Sequence, residues 1–471
     1  MQQVKRIGIL TYILTDLLTA MLAWTCFFAY RKYFVEGLGF ELYHLNDTSY
    51  FIGVLLLPLC WLLFYALAGT YTDVYRKSRL AETSRTFMHT LIGVLIIFFA
   101  ILLDDVISDY RKYYSLIAAL FALHFLLTLI GRLNILSHAK TQIKKKLVAY
   151  NTLIVGGGQK ALDTFLDIEK NGVNLGYSFV GYLATNPKKQ NSLTNYLPNV
   201  GSLDDLKPII KELKIDELIL AMQRDESKSI NNVINQLSDT AVVIKIIPGM
   251  RDILSGSVKM NNVVGTPLIE IFPDLMPRWQ VSIKRIIDIA ASLGVLLIFW
   301  WLYALIAIRV KLSSPGPIFY KQERIGLKGK PFYILKFRSM FIDAEKTGPA
   351  LSSKHDPRIT KFGRFLRKWR FDEIPQFFNV LKGDMSLVGP RPERQHYIDL
   401  IVQKAPAYNH LKKVKPGLTS WGMVKFGYAE NVDEMIQRMK WDLLYIENMS
   451  LSIDFKIMIY TVLIVFQGLG K

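Results

Sequence analysis

A chain of 471 residues, 51% hydrophobic and with 58 Lys and Arg against 39 Asp and Glu for a formal charge of +19, is not a disordered protein, and its length suggests about three domains of roughly 150 residues. Two cysteines, Cys26 and Cys60, both in apolar runs, argue against a disulfide framework, and nothing resembles a thiol metal site. High apolar content and high positive charge rarely share one soluble core, and along this chain they are segregated.

Residues 1–140 read as a four-span transmembrane domain. Apolar segments run Ile7 to Tyr30, Tyr50 to Tyr71, Phe87 to Leu103 and Tyr114 to Leu136. Each is near the ~20 residues that cross ~30 Å of hydrocarbon, the third at the short end. The first is too long for a cleaved signal peptide, and no convincing small-residue cleavage site follows it. Lys and Arg favour the cytoplasmic side. Lys5 and Arg6 precede the first span, Arg76, Lys77, Arg79 and Arg85 fill the second connection, and Lys140 and Lys144 to Lys146 follow the fourth. The third connection sets Asp104, Asp105 and Asp109 against Arg111 and Lys112. Both ends of the domain are therefore predicted in the cytoplasm, with Arg31 and Lys32 dissenting. Asp16, inside the first span, reads as a helix-packing contact or a protonated acid before it reads as an ion path.

Residues 147–270 have the texture of a parallel α/β module, Rossmann-like and CoA-binding-like. Asn151 to Val155 predicts a first strand, and Gly156-Gly157-Gly158-Gln159-Lys160-Ala161 turns it into a helix. Gly156 and Gly158 are the candidate cofactor-binding positions, because such a loop lets backbone N–H groups approach a pyrophosphate at a helix N-terminus. The next strand, Tyr177 to Leu183, runs into Ala184 and Thr185, so the acid that would hold an adenosine ribose is missing. Further strands are predicted at Glu217 to Met222 and Val242 to Ile247. A module that binds no dinucleotide, or another nucleotide for regulation, stays open beside NAD binding.

The remainder, residues 278–471, opens on a fifth apolar stretch, Ile286 to Val310, ~37 Å long as a helix. Basic residues flank both sides, Arg278, Lys284 and Arg285 before it and Lys311, Lys321 and Arg324 among those after it. Positive-inside logic puts both ends in the cytoplasm, so residues 283–310 are expected to dip in and return or to lie in the interface, and a full span is the competing reading. Downstream, Ser314-Pro315-Gly316-Pro317, Lys336-Phe337-Arg338-Ser339-Met340 and the run from Leu366 to Glu393 pack basic and acidic residues together. Such a mixture suits a site where a metal and an anion meet. Pro375 is tolerated in a first helical turn and Gly383 is a good stop, so a short helix is predicted from about Asp372 to Lys382. The helix dipole with Arg367 and Arg370 would keep a carboxylate ionised there. An ionised Asp can attack phosphorus, and its neighbour can hold Mg²⁺ together with substrate phosphates. Arg391, between Pro390 and Pro392, can offer phosphate a bidentate fork. An isolated Asp-Glu pair would more simply be a helix cap with surface ion pairs; the whole run decides otherwise.

Residues 284–471 resemble the bacterial sugar transferases that act as polyprenyl-phosphate phosphoglycosyl transferases. The matching runs are Lys284-Arg285-x-x-Asp288, Ser314-Pro315-Gly316-Pro317, Lys336-Phe337-Arg338-Ser339-Met340, Asp372-Glu373-x-Pro375-Gln376-x-x-Asn379-Val380-Leu381-x-Gly383-Asp384-Met385-Ser386, Val388-Gly389-Pro390-Arg391-Pro392 and Lys415-Pro416-Gly417-Leu418-Thr419. The four spans and the degenerate module extend the likeness to the long form of that family. The resemblance implies a multidomain membrane protein: a four-helix transmembrane bundle, a Rossmann-like α/β module and an α-rich α/β catalytic domain with a re-entrant membrane helix. It implies transfer of hexose 1-phosphate, glucose or galactose being the leading sugars, from a UDP-sugar to undecaprenyl phosphate with release of UMP. That reaction starts exopolysaccharide, capsule or O-antigen synthesis at the cytoplasmic face of the bacterial inner membrane. By the motif, Asp372 corresponds to the nucleophile and Glu373 to the Mg²⁺ ligand. Arg367 and Arg391 fall on phosphate-contacting arginines, with Lys336, Arg338, Gln376 and Asn379 as further phosphate contacts. One departure stands out. The family's re-entrant helix is usually kinked by a Ser-Pro pair, whereas this chain has Trp300-Trp301 there and no proline between Pro277 and Pro315. The bend is expected from the tryptophans or Gly294 instead.

The last apolar stretch, Ile453 to Phe466, reads equally as an interfacial helix or a buried one. A nucleotide-sugar dehydratase would need a second glycine loop before Tyr408-x-x-x-Lys412, and none precedes it; no Asp-x-Asp supports a metal-dependent glycosyltransferase. A non-enzymatic scaffold of a polysaccharide assembly is the remaining alternative. The positive charge borders apolar segments and a phosphoryl-transfer motif, so membrane lipid and pyrophosphate are the expected partners, with a homodimer contact through the middle module and no nucleic acid.

Overall fold

The computed structural model describes residues 2–35, 47–102, 110–170, 176–185, 192–222, 242–247, 268–271, 275–342, 356–427 and 429–466, with a few single positions between them. Asp104, Asp105 and Asp109 of the third connection lie outside the described residues. The chain divides into two compact units, residues 1–150 with 172–178, and residues 151–171 with 179–471.

In the first unit four helices are long and apolar enough to cross a membrane. They are α1 (Gln2–Tyr30), α2 (Thr48–Leu67), α3 (Arg79–Ile97) and α4 (Tyr110–Lys144). Asp47 starts α2 by accepting the Ser49 N–H at 2.9 Å, a side-chain N-cap. Leu14, Leu18, Leu55, Leu59 and Leu63 face outward, as a lipid-facing surface requires. Inside, Gly53 lets the Trp24 indole lie against α2, and Gly93 does the same for Trp61 on α3; a Cβ at either position would overlap the ring.

The interior of this bundle is not all apolar. Asp16 on α1 takes a bidentate pair from Arg132 on α4, Nε to Oδ1 and Nη2 to Oδ2 both at 2.9 Å. The second nitrogen face of Arg132 reaches Thr86 at 2.9 Å and Glu82 at 3.5 Å. Glu82 in turn accepts Lys77 at 3.3 Å and the Tyr12 hydroxyl. Two carboxylates and two cations thus cancel within one cluster whose charged side chains are almost wholly removed from the surface, and the Tyr65 ring lies 4.3 Å from the guanidinium. Asp16 is a packing contact, as its lone occurrence suggested. Its partner lay unread inside an apolar run.

The second unit begins with a doubly wound module: β1 (Tyr150–Val155), α5 (Gln159–Lys170), β2 (Tyr177–Ala184), β3 (Asn199–Ser202), α6 (Leu206–Glu212), β4 (Glu217–Leu220), β5 (Val243–Ile246) and β6 (Ile269–Ile271). The sheet order is β3-β2-β1-β4-β5-β6; β1 and β4, β2 and β3, and β4 and β5 pair in parallel, and β6 runs antiparallel to β5. Alternation divides the strand residues between two cores: Leu153, Val155, Leu218 and Leu220 pack on one face, Ile154 and Ile219 on the other. Gly158 lies just before α5 and its carbonyl accepts the Ala161 N–H at 3.0 Å. Gly156, at φ +123°, sits so close to the Ala221 backbone that a Cβ would come within 2.7 Å of the carbonyl oxygen. Glycine there has a packing cause of its own.

The catalytic-motif region opens with a broken helix, α7 (Arg278–Ile298) and α8 (Trp300–Ser313), bent by 66°. The break falls at Phe299, directly before Trp300-Trp301, and not at Gly294. Leu297, Ile298, Trp300 and Trp301 at this tip are exposed, while Asp288 and Ser292 below it on α7, and Ile306 and Val310 on α8, are buried. A hairpin follows, β7 (Phe319–Ile325) against β8 (Pro331–Phe337), then α9 (Lys361–Lys368), α10 (Gln376–Lys382), β9 (Ser386–Val388), α11 (Gln395–Lys404), β10 (Gly417–Thr419), α12 (Trp421–Lys425), α13 (Val432–Glu447) and α14 (Leu451–Phe466). β9 and β10 pair in parallel. Ile306 and Val310 pack with Phe337 and Leu366, so α8 rests on β8 and α9. On α14, Ile457 joins the core while Phe455, Ile459, Val462 and Leu463 are exposed.

Candidate active site

The predicted helix from Asp372 to Lys382 is two pieces: a 3₁₀ turn, Phe371–Glu373, and then α10. Arg370 precedes the turn in the left-handed region, φ 56° and ψ 22°, a conformation that costs a non-glycine residue ~1 kcal/mol or more. This reversal separates α9 from the acidic pair, so Arg367 and Asp372 come to line the same cavity from different elements. Gly383, at φ +93°, ends α10 as a left-handed cap.

The cavity has a volume of about 350 Å³. Asp372 and Glu373, both buried, form part of its wall with Lys336, Arg367 and Arg391. Glu373 Oε1 accepts Lys336 Nζ at 3.0 Å and Arg391 Nη2 at 3.4 Å, and Arg370 stands 3.9 Å from Oε2. Burial works against the charge on Glu373, but Lys336, Arg391 and Arg370 outweigh it and hold its carboxyl well below the usual range. Asp372 goes the other way: burial raises its pKa, the charge on Glu373 adds to this, and Lys336, Arg367 and Arg391 offset only part of it. Two adjacent acids of opposite tendency are a common mark of divided chemical roles.

Other expected phosphate contacts have framework bonds. Arg338 borders the cavity, yet its guanidinium donates to the carbonyls of Ser314 at 2.6 Å and Pro315 at 2.9 Å, tying the Ser-Pro-Gly-Pro loop to β8. Asn379 bridges β8, accepting the Leu335 N–H at 3.0 Å and donating to Tyr333 O at 2.8 Å. Asn379 and Gln376 are buried and absent from the cavity wall. Asn379 thus has a framework role in holding β8. Arg367 Nε donates to Ser339 Oγ at 2.9 Å, which aims its guanidinium along the cavity.

The wall also includes residues that no motif placed in the site: Arg358, Arg394, Tyr397, Met435 and Arg438, with Arg324, read in the sequence only as a flanking charge. Glu393 binds Arg324 at 3.1 Å and also pairs with Arg438, joining β7 to α13. Arg358 is held by Asp356 at 2.8 Å. Among the described residues no group of three or more His, Cys, Asp or Glu side chains is arranged to hold a metal ion. The Glu373 carboxylate in the cavity wall is the kind of hard oxygen donor that could hold Mg²⁺.

A family model described as bacterial sugar transferase matches residues 279–468, and one described as CoA-binding domain matches residues 70–248. The chain is 30% identical over 441 residues to the UDP-glucose:undecaprenyl-phosphate glucose-1-phosphate transferase of Escherichia coli (strain K12), covering 92% of this chain and 90% of that one. It is 29% identical to the Klebsiella pneumoniae protein of the same description, with 90% of each covered. Over 224 residues it is 38% identical to the UDP-N-acetylgalactosamine-undecaprenyl-phosphate N-acetylgalactosaminephosphotransferase of Aeromonas hydrophila, 48% of this chain and 52% of that one.

Proposed function

The chain belongs to the bacterial sugar transferase family and is an undecaprenyl-phosphate sugar phosphotransferase; from that premise we propose that it transfers hexose 1-phosphate, with glucose or galactose as the sugar, from a UDP-sugar to undecaprenyl phosphate through a covalent intermediate on Asp372. The observation that carries this reading is the buried Asp372–Glu373 pair in the wall of a cavity ringed by Lys336, Arg367 and Arg391. In the first step an Asp372 carboxylate oxygen bonds to the phosphorus that bears the sugar. The bond from that phosphorus to the bridging oxygen breaks, and its electron pair leaves with UMP. In the second step a phosphate oxygen of undecaprenyl phosphate attacks the same phosphorus and displaces Asp372, leaving the sugar on a lipid diphosphate. Charge develops on the leaving oxygen and on the non-bridging oxygens, where Lys336, Arg367 and Arg391 stabilise it. Mg²⁺ would be held by Glu373 and would neutralise the diphosphate of the donor. The product starts a lipid-linked exopolysaccharide, capsule or O-antigen unit.

Ionised Asp372 is the attacking form, and its pKa is raised. Activity at limiting donor is therefore lost as pH falls through that raised value, while Glu373 stays ionised. Lys336→Met removes a cation that lowers it, so the acid limb of kcat/KM moves to higher pH and the plateau falls by about 10²-fold. A limb that does not move, measured as UMP release across pH, separates the charge on Lys336 from the titration of Asp372.

The active site is proposed to face the cytoplasm at the inner membrane, with the broken helix re-entering the side it left. Both arms of that helix are fastened to the catalytic domain, α7 by the bond from the Leu387 N–H to Asp288 and α8 by packing of Val310 with Phe337 and Leu366, and the exposed apolar tip lies at the bend. From Asp288 to the break at Phe299 is eleven residues, ~16 Å of helix, about half of a ~30 Å hydrocarbon layer. Lys321→Cys should stay unlabelled by an impermeant thiol reagent in intact cells and react in inverted vesicles; labelling from outside overturns this topology.

The function itself is tested with membranes, undecaprenyl phosphate, Mg²⁺ and UDP-glucose, UDP-galactose or UDP-N-acetylgalactosamine, scored for UMP. Release with glucose or galactose fits the proposal. Release with the acetamido sugar alone keeps the chemistry and refutes the sugar.

A further inference from the structure

The Lys284-Arg285-x-x-Asp288 motif does more than flank an apolar segment with charge. Arg285 on α7 donates to the last carbonyls of α10, Nη1 to Val380 O at 2.6 Å and Nη2 to Leu381 O at 2.8 Å. Both lie in the last turn of α10, at the negative end of its dipole, where the Gly383 N–H already reaches Val380 O at 3.0 Å and Arg285 adds a second donor to it. One turn away, Asp288 accepts the Leu387 N–H at 3.0 Å, and Lys284 donates to Val388 O at 2.9 Å and to Asp454 of α14 at 2.6 Å. The motif therefore grips two segments at once. α10 follows directly on the Asp372–Glu373 turn, and β9 leads through Gly389-Pro390 into Arg391. Those two segments meet again in the active site, where Arg391 stands 3.4 Å from Glu373.

Resting on the reading of Asp372 as nucleophile, we infer that Lys284, Arg285 and Asp288 form a positioning clamp which sets the spacing of the acidic pair from Arg391 and couples that spacing to the seating of the broken helix in the bilayer. Arg285 is the member that acts on the acidic pair. Its planar fork fits two neighbouring carbonyls; an ammonium cannot bond both in the same geometry. Nothing in the clamp touches the donor site, since none of the three residues lines the cavity. Its loss should thus misplace groups without removing a substrate contact, and a shift of ~1 Å can cost 10²-fold in rate.

The test compares wild type, Arg285→Met and Arg285→Lys, each full length, in lipid nanodiscs and in detergent. Expected for Arg285→Met is a fall in kcat of about 10- to 100-fold with KM for the UDP-sugar within about twofold, slower build-up of label from a sugar-phosphate-labelled donor on the protein, and an unfolding temperature within a few degrees of wild type. Arg285→Lys should recover part of the rate. The ratio of nanodisc to detergent activity should exceed one in wild type and collapse toward one in Arg285→Met. Unchanged kcat in the folded variant overturns the clamp, as does a loss of kcat that only tracks a lower unfolding temperature, or an unaltered bilayer ratio. Failure of the nucleophile assignment is separate: it shows as full activity of Asp372→Asn, whatever Arg285 does.

Discussion

Asp372→Asn should abolish UMP release, by at least about 10³-fold, while the protein keeps its fold and its donor affinity. The amide is nearly isosteric, so the packing of a buried side chain is preserved. The reacting electron pair is what changes, since an amide oxygen is a poor nucleophile toward phosphorus. Removing a buried acid of raised pKa also relieves burial strain, so the unfolding temperature should stay level or rise. Two further readouts distinguish a lost nucleophile from a lost binding contact. Label from a sugar-phosphate-labelled donor should no longer co-migrate with the denatured protein, and equilibrium binding of the UDP-sugar should be within a few-fold of wild type. Glu373→Gln should behave differently. It leaves Lys336, Arg391 and Arg370 facing a neutral group, so donor binding and rate change together and label still accumulates, slowly. Full activity of Asp372→Asn would end the covalent mechanism proposed here.

The second large effect is expected far from the chemistry. Arg132→Ala leaves Asp16 unpaired and Glu82 with Lys77 and Tyr12 alone, all inside a membrane bundle. Breaking a buried pair from one side typically costs about 3–5 kcal/mol. The variant should therefore fail to accumulate in membranes or should unfold in detergent well below the wild-type temperature. Removing both charges together tests whether the cost is electrostatic. Asp16→Leu with Arg132→Met keeps the volume, leaves Glu82 paired to Lys77, and should regain most of the loss. If the double variant is as unstable as the single one, the cluster matters through shape and hydrogen bonding to Thr86 rather than through charge.

Much of this was legible in the sequence because the signals were local. The four spans follow from hydropathy, the strands of the α/β module from short apolar runs alternating with helical patterns, and Asp372, Glu373, Lys336, Arg367 and Arg391 from motifs whose members do converge on one cavity. What was not legible is non-local or concerns division of labour. Arg132 meets Asp16 across 116 positions, and an arginine hidden in an apolar run announces no partner. Arg438, on a helix with no motif, lines the cavity and pairs with Glu393, which also holds Arg324 of β7. Arg338 and Asn379 stand inside the motifs yet hold carbonyls and a strand, since a motif records which residues are needed and not whether they serve the reaction or its frame. The bend was legible only as two alternatives, since no proline marks it; it falls at Phe299, beside the tryptophans and away from Gly294.

Gly156 bears on how a fold can part from a ligand. Its backbone angle and its closeness to Ala221 are demands of strand packing, independent of anything bound above the loop. Thr185, by contrast, stands where only a ribose would ask for an acid. A glycine fingerprint can therefore be required by strand packing alone, and only the second kind of position speaks to what the loop binds.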